Sequence, residues 1–340
     1  MIGKRYRSHA FVPWQNQEGV ALLMVLWVLT LLTVIVGQFC YAMRAEINIT
    51  RNFRDVAKAY FLARAGQQQA LLWLLEPEQI NGNGAEAGPL WRVNADNQPV
   101  LFGDGSFEIK IGNESGKINL NTAHPDLLKM MLAGLELSEE EERIIVDSIQ
   151  DWRDADNLHR LNGAENDYYQ NLPEPYSCHN GPFRSVKELL LVRGISKDIM
   201  TRLLERITIY PQVSLTETAR NQVKDETAIL EQKQININAA PLEVLQALPQ
   251  MTDEALREII DFRRQADFTT LLEVKQTVGD RIFRQISNYI TLDFSSYFSL
   301  ITTGYVKGSK ARRSIASVVD VDADLYKYRI AKWLDFESVQ

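Results

Sequence analysis

Three features of the 340-residue sequence predict an α+β fold with a membrane-spanning amino-terminal helix and a large all-α insertion. No charged residue occurs from Gly19 to Met43, strand-like alternation appears near residue 107 and again after residue 299, and the stretch between carries helical periodicity. Strand segments that flank a helical interior imply one α+β body interrupted by a helical insertion.

The apolar segment comes first. Val20 to Val36 reads VALLMVLWVLTLLTVIV, broken only by Thr30 and Thr33. A helix needs about 20 residues, at a rise of about 1.5 Å each, to cross the hydrocarbon of a bilayer. Residues 20–43 are therefore assigned to a transmembrane helix. Lys4, Arg5 and Arg7 precede it, which directs the amino terminus to the cytoplasm and the main body outside. A secretory signal peptide would be shorter and would end at a small-residue cleavage site. Here Ile47, Phe53, Val56, Tyr60, Phe61, Ala65, Leu71, Leu72 and Leu75 continue an amphipathic helical pattern over residues 44–75. As one helix, Val20 to Leu75 would measure roughly 80 Å. Pro77 and Asn81-Gly82-Asn83-Gly84 terminate it.

In the body, Phe107, Ile109 and Ile111 alternate with Glu108 and Lys110 as in a half-buried strand, and Ile118 to Leu120 suggests another. Asp126 to about Arg206 reads as helical, with Ser138 and Glu141 spaced as a helix start. Pro211 to Lys233 is polar and aperiodic, a loop or linker, and a second helical block spans Pro241 to about Asn288. Strands follow at Ser299–Tyr305 and Ser314–Val321, then Leu325–Trp333, with GYVKGSK at Gly304–Lys310 as a hairpin turn. The α+β domain thus comprises residues 76–120 and 291–340, and the helical insertion residues 121–290. Within the insertion, INLNTAHPDLLKMM and ININAAPLEVLQAL are near copies, each followed by an arginine-bearing helix end, DWRDAD and DFRRQADF.

Lysine and arginine number 37 against 44 acidic residues, a formal net charge of −7. That balance disfavours a nucleic-acid binder, whose affinity rests on cationic contacts to phosphate. The two repeats are similar to helix-hairpin-helix (SAM-like) modules, but their hairpins, AGLELS and PQMTD, lack the paired glycines that let backbone amides approach a phosphate. A membrane-anchored DNA-uptake protein is the alternative this resemblance keeps open. Two cysteines, Cys40 and Cys178, are too few for a disulfide framework. His124, His159 and His179 have no metalloenzyme spacing, and neither a nucleophile elbow nor a phosphate loop occurs, so no active site is predicted. The densest polar constellation is Asp151, Asp154, Asp156, Asn162, Glu165, Asn166 and Asp167 around Gly163. It reads either as an oxygen-ligand loop for a hard cation such as Ca2+ or as a solvated acidic loop.

A short basic leader ending in Gly19 before VALLMVLWVLTLL resembles the precursors of type IV pilins and pseudopilins. Met24 stands where that family usually has glutamate, at the fifth mature position. Together with KAYFLARAG, KINLNTA, DWRDAD, NGAENDYY, NGPFRSVKELLLVRG and ININAAPLEVLQAL, this resembles the K family of minor pseudopilins of type II secretion, end to end. The resemblance implies cleavage between Gly19 and Val20 by a prepilin peptidase, which would remove residues 1–19, and methylation of the new terminus. It implies a pilin-like antiparallel sheet and a non-enzymatic role at the pseudopilus tip on the periplasmic side of the inner membrane, supporting protein export. The implied partners are the minor pseudopilins I and J, with H in addition, and the inner-membrane assembly platform. It also tips the acidic loop toward structural Ca2+, with Asp151, Asp154, Asp156, Glu165 and Asp167 as ligands.

Overall fold

A computed structural model of the protein describes residues 18–76, 92–95, 97–211 and 231–336. Most of the leader (1–17), the predicted helix-ending turn after Pro77 and most of the predicted linker (212–230) lie outside the described residues. Contacts divide the chain into two compact units, Met1–Ala57 and Lys58–Gln340.

Helix α1 runs unbroken from Glu18 to Leu74. Its apolar part is long and hydrophobic enough to cross a membrane. Every residue from Val20 to Arg54 is exposed, including Leu22 and Trp27 at 74% and 71%, so among the described residues nothing covers this surface. Helix α1 already includes Glu18, so Gly19 and Val20 lie in its first turn.

In the second unit, the end of α1 lies on one face of a five-stranded antiparallel sheet. The strands are β1 (Val100–Phe102), β2 (Gly105–Asn113), β7 (Tyr297–Val306), β8 (Arg312–Asp322) and β9 (Lys327–Phe336), in that spatial order. Small residues carry the first part of the contact stripe of the helix, and Gln67, Leu71 and Leu74 the rest. Ala59, Ala63 and Ala70 are fully buried, and a Cβ on Gly304 of β7 would overlap the main chain of Ala59 and Ala63. Of the large residues that define the amphipathic pattern in the sequence, Phe53, Phe61 and Leu72 point outward while Leu71 is buried. Close backbone approach at Ala59, Ala63 and Gly66 gives way to bulky apolar contact at Leu71 and Leu74. Phe107, Ile109 and Ile111 alternate inward as expected and form a core with Leu71, Leu74, Phe298, Leu300 and Val319. Gly105 faces Leu62 and Phe107 faces Gly66, so β2 advances with α1 and ends toward Leu74.

The three carboxy-terminal strands fall where alternation places them. Of GYVKGSK, Gly304–Val306 belong to β7, and the turn is confined to the residues after it, with Gly308 in the left-handed region at φ +75°.

Ile118 is not part of this sheet. Strand β3 (Ile118–Asn119) pairs in parallel with β4 (Ile207–Thr208), inside the insertion. Between them lie α2 (Pro125–Leu132), α3 (Glu139–Arg153), α4 (Asn166–Gln170), a 3-10 turn at Val186–Leu191 and α5 (Lys197–Leu203). The second repeat has the same plan. Strand β5 (Ile235–Asn236), α6 (Leu242–Gln246), α7 (Asp253–Gln265), α8 (Leu271–Val278) and α9 (Asp280–Ile286) close with β6 (Ile290–Thr291), which pairs in parallel with β5. One apolar core joins both repeats, from Ile118 to Ile290.

The repeat extends to individual hydrogen bonds. Asn119 Oδ1 accepts from the Asn121 amide at 2.8 Å, and Asn236 Oδ1 from the Asn238 amide at 2.8 Å. Asn121 pairs with the main chain of Phe183 in both directions, at 3.0 and 2.6 Å. Asn238 does the same with Phe268, at 2.9 and 2.8 Å. Arg153 donates to the carbonyls of Leu120 and Ala123, and Arg263 to that of Ala240. In both hairpins the residue two before the helix cap, Glu136 or Gln250, takes positive φ.

Part of the predicted linker is structured. Gln232 is buried, and its side chain accepts from the Asn119 amide and donates to the Lys117 carbonyl, bonding that a polar, aperiodic stretch does not advertise.

Removing the Asn238 carboxamide leaves a buried N–H and C=O of Phe268 without partners, each worth about 1–3 kcal/mol when unsatisfied. Asn238→Ala is therefore expected to destabilise the detergent-extracted chain by at least about 1 kcal/mol in urea unfolding. An unchanged midpoint would show that the Asn-x-Asn turn contributes nothing to the insertion.

A candidate cation site in the first repeat

The two repeats differ most after their arginine-bearing helix ends. Between Arg263 and Phe268 the second repeat has only residues 264–267, whereas between Arg153 and Phe183 the first carries residues 154–182. The acidic constellation lies in that longer loop.

Helix α3 begins with the expected capping box, in which Ser138 and Glu141 bond reciprocally. It ends in Asp151-Trp152-Arg153, and Arg153 is committed to the Asn-x-Asn turn. Trp152 anchors an aromatic cluster with Tyr169, Tyr176, His179 and Phe183. The loop leaves this base at Asp154, the C-cap of α3.

The five predicted ligands separate into two groups. Asp154, Asp156 and Glu165 each offer a carboxylate oxygen, and these oxygens lie within 4.8 Å of one another. Asp151 does not join them, although it is fully buried. Its carboxylate accepts from the Arg160 amide at 3.1 Å and the Arg160 guanidinium at 2.6 Å. Gly163 passes so close above that a Cβ there would overlap Asp151 Oδ2. Burial pushes the Asp151 carboxyl above its ordinary range even with Arg160 drawing it down. Asp167 is exposed in the first turn of α4 and outside the group.

The same loop holds orphaned oxygens. Asp154 Oδ1, both Glu165 oxygens and Asn180 Oδ1 are buried and accept no hydrogen bond among the described residues. The thiol of Cys178 is the one weak donor near Glu165. Asn180 arrives from the far end of the loop in the left-handed region, φ +46°. Its amide donates to the Asp156 carbonyl at 2.7 Å and to Asn157 Oδ1 at 3.0 Å, which leaves the carboxamide oxygen unpaired. Asn162 and Asn166 serve the loop instead, Asn162 bonding Asp147 and Asn166 bonding Asn157 and the Cys178 amide.

Buried acceptors without donors are costly, and adjacent carboxylates repel. Glu165 is accordingly pushed up to about 7, by burial first and then by Asp151, Asp154 and Asp156. Cys178 is pushed up to about 12, again mainly by burial. Among the described residues no histidine joins the cluster: His124 caps α2, His159 is exposed and His179 stacks on Trp152. The grouped donors are therefore all oxygen, from three carboxylates, which fits a hard divalent cation better than zinc.

This loop lies inside the region of the chain that matches a known family. Residues 111–212 match the family described as Type II secretion system (T2SS), protein K. A type II secretion system protein K from Pectobacterium carotovorum subsp. carotovorum is 27% identical over 321 residues, which cover 80% of this chain and 92% of that protein. Over most of its length the chain is similar to type II secretion system protein K. Another protein K, from Pseudomonas aeruginosa, is 27% identical over 303 residues, covering 80% of this chain and 84% of its own. The fold is shared with a chain in the crystal structure of the GspK-GspI-GspJ complex from the enterotoxigenic Escherichia coli type 2 secretion system. That likeness has a TM-score of 0.54 at 16% identity and covers 87% of this chain and 99% of the other. Similarity to protein K and the one apolar helix long enough to cross a membrane among the described residues, α1, fit a single-pass membrane anchor.

The Glu165 carboxyl predicts a pH dependence in the cation-free protein. Its value is about 7 in the fold against an ordinary 4.5. As pH rises the unfolded chain releases this proton first, so the contribution is intact below about 4.5 and lost by about 7. In chelator, wild type is expected to lose stability across that window relative to Glu165→Gln. Parallel pH profiles for the two proteins would contradict this.

Proposed function

We propose that the chain is a non-enzymatic minor pseudopilin that caps a periplasmic pseudopilus and so supports export of folded proteins across the outer membrane. The observation that carries this reading is where the insertion leaves the sheet. Asn113 and Tyr297 lie at the ends of neighbouring strands, on the side of the sheet toward Leu74 and away from Lys58. A body of residues 118–290 standing there obstructs a further subunit from stacking above. Met24, in the apolar part of α1, offers no carboxylate to the terminal amine of a neighbour. A subunit that lacks one stacking contact and blocks the other belongs at an end.

In this reading the prepilin peptidase cleaves between Gly19 and Val20, the new terminus is methylated, and residues after α1's apolar part stand in the periplasm. The partners are minor pseudopilins I and J, as in the complex named for the structural relative, with H next below and the inner-membrane platform driving assembly. A DNA-uptake role is disfavoured by the first repeat's hairpin, where Glu136, Glu139 and Glu140 would meet any phosphate.

Calcium completes the loop in this reading. Asp154, Asp156 and Glu165 would hold it, with the Asn180 carboxamide oxygen as a fourth ligand. Bound Ca2+ supplies the positive charge that the orphaned oxygens lack and fastens residues 154–180 to α3. Because a cation that binds only the folded state stabilises it by about 2.7 kcal/mol at 100 times its Kd, the melting temperature should rise with Ca2+. Asp156→Asn with Glu165→Gln should abolish that rise. A melting temperature indifferent to Ca2+ and chelator would remove calcium from the account.

Mass analysis of the amino terminus, with and without the peptidase, tests the pathway. A chain that starts at Val20 only with the peptidase, and then co-purifies with I and J, is expected. An intact terminus, or a cut beyond Gly37, would return the plain-anchor and DNA-handling readings.

A further inference from the structure

Helix α1 covers only one face of the sheet. On the other face the register sets Lys110, Ile301, Ala316 and Leu334 in one transverse row, and Gly112, Ser299, Val318 and Lys332 in the next. Gly112, Ser299 and Ala316 are small and keep the floor low, while Ile301 and Leu334 remain 43% and 49% exposed. Leu242 of α6 and Ile260 of α7 form a wall from the second repeat. The result is a groove of about 590 Å³ between sheet and insertion, within the range of pockets that take small ligands or peptide side chains.

Its charge runs opposite to that of the chain. Lys110, Lys117, Arg263, Arg264 and Lys332 line it against Glu205 alone, whereas the whole sequence carries −7. Lys117 is paired with Glu114, Arg264 with Asp261, and Arg263 donates to a carbonyl. Lys110 and Lys332, at opposite corners of the two rows, form no ion pair among the described residues. An apolar floor between two uncommitted cations is complementary to apolar side chains flanked by carboxylates.

We propose that this groove binds an extended acidic peptide segment of a partner polypeptide, with apolar side chains on Ile301, Val318 and Leu334 and carboxylates on Lys110 and Lys332. This site is separate from the cation loop, and it requires neither calcium nor a fibre tip.

The test uses the full chain in detergent micelles and a fluorescein-labelled octapeptide of alternating aspartate and leucine, read by fluorescence anisotropy. A lysine-leucine octapeptide serves as control. The acidic probe is expected to bind at least about tenfold more tightly than the lysine probe and to weaken with added salt. Lys110→Glu combined with Lys332→Glu should cost at least about tenfold, and the milder Lys110→Gln with Lys332→Gln a smaller loss, at an unchanged melting temperature. Equal affinity for the two probes, or insensitivity to both double variants, would overturn the proposal. So would concentration-dependent self-association lost in the charge-reversed variant, which would make a second copy of the chain the occupant.

Discussion

The helical insertion must begin and end at the same place. Strands β2 and β7 are hydrogen-bonded neighbours, yet the whole body of 118–290 lies between them in the chain. The departing and returning segments are stitched together by Asn113, whose carboxamide donates to the Ser295 carbonyl at 2.9 Å and accepts from the Ser295 amide at 3.1 Å. Around this stitch, the Glu114–Gly116 turn approaches so near the Ala239 main chain that only glycine fits at 116. Tyr210 stacks on Tyr297 with ring centroids 5.3 Å apart. These contacts fix the insertion to one end of the sheet, and both the groove and the end-blocking argument depend on that attachment.

Within the insertion, one scaffold is used twice and elaborated once. The Asn-x-Asn turn, the arginine returning to it and the phenylalanine main chain it grips recur in both repeats. Only the first repeat places a long loop between arginine and phenylalanine. That loop is held by side chains, through Arg160 on Asp151 and Asp154, Asn162 on Asp147 and Asn180 on Asp156. The scheme leaves buried oxygens without donors, the pattern expected where a cation completes the structure.

Much of this architecture was legible because its signals are local. Strand alternation at Phe107–Ile111, the capping residues Ser138 and Glu141 and the recurrence of the INxN segments all reflect neighbours in sequence. What was not legible depends on partners distant in sequence. The composition of the loop points to Asp151, but that Arg160 reaches back to both Asp151 and Asp154 cannot be read from spacing. Asn180 reaches Asp156 from 24 residues away and carries no charge to draw notice. Gln232 sits in a stretch without periodicity because its role is to bridge main-chain groups rather than to fill a core. On α1, bulky residues dominate any hydrophobicity pattern, whereas close approach selects Ala59, Ala63 and Gly66.

The proposed role is positional: a subunit whose insertion leaves no room beyond it would stand where the fibre ends. The most direct measurement is electron microscopy of isolated pseudopili with a gold label on an exposed insertion residue such as Leu161. The account predicts label at one end of each fibre and none along the shaft. Label repeating along the shaft would contradict it, because subunits would then stack above the insertion that is held to exclude them.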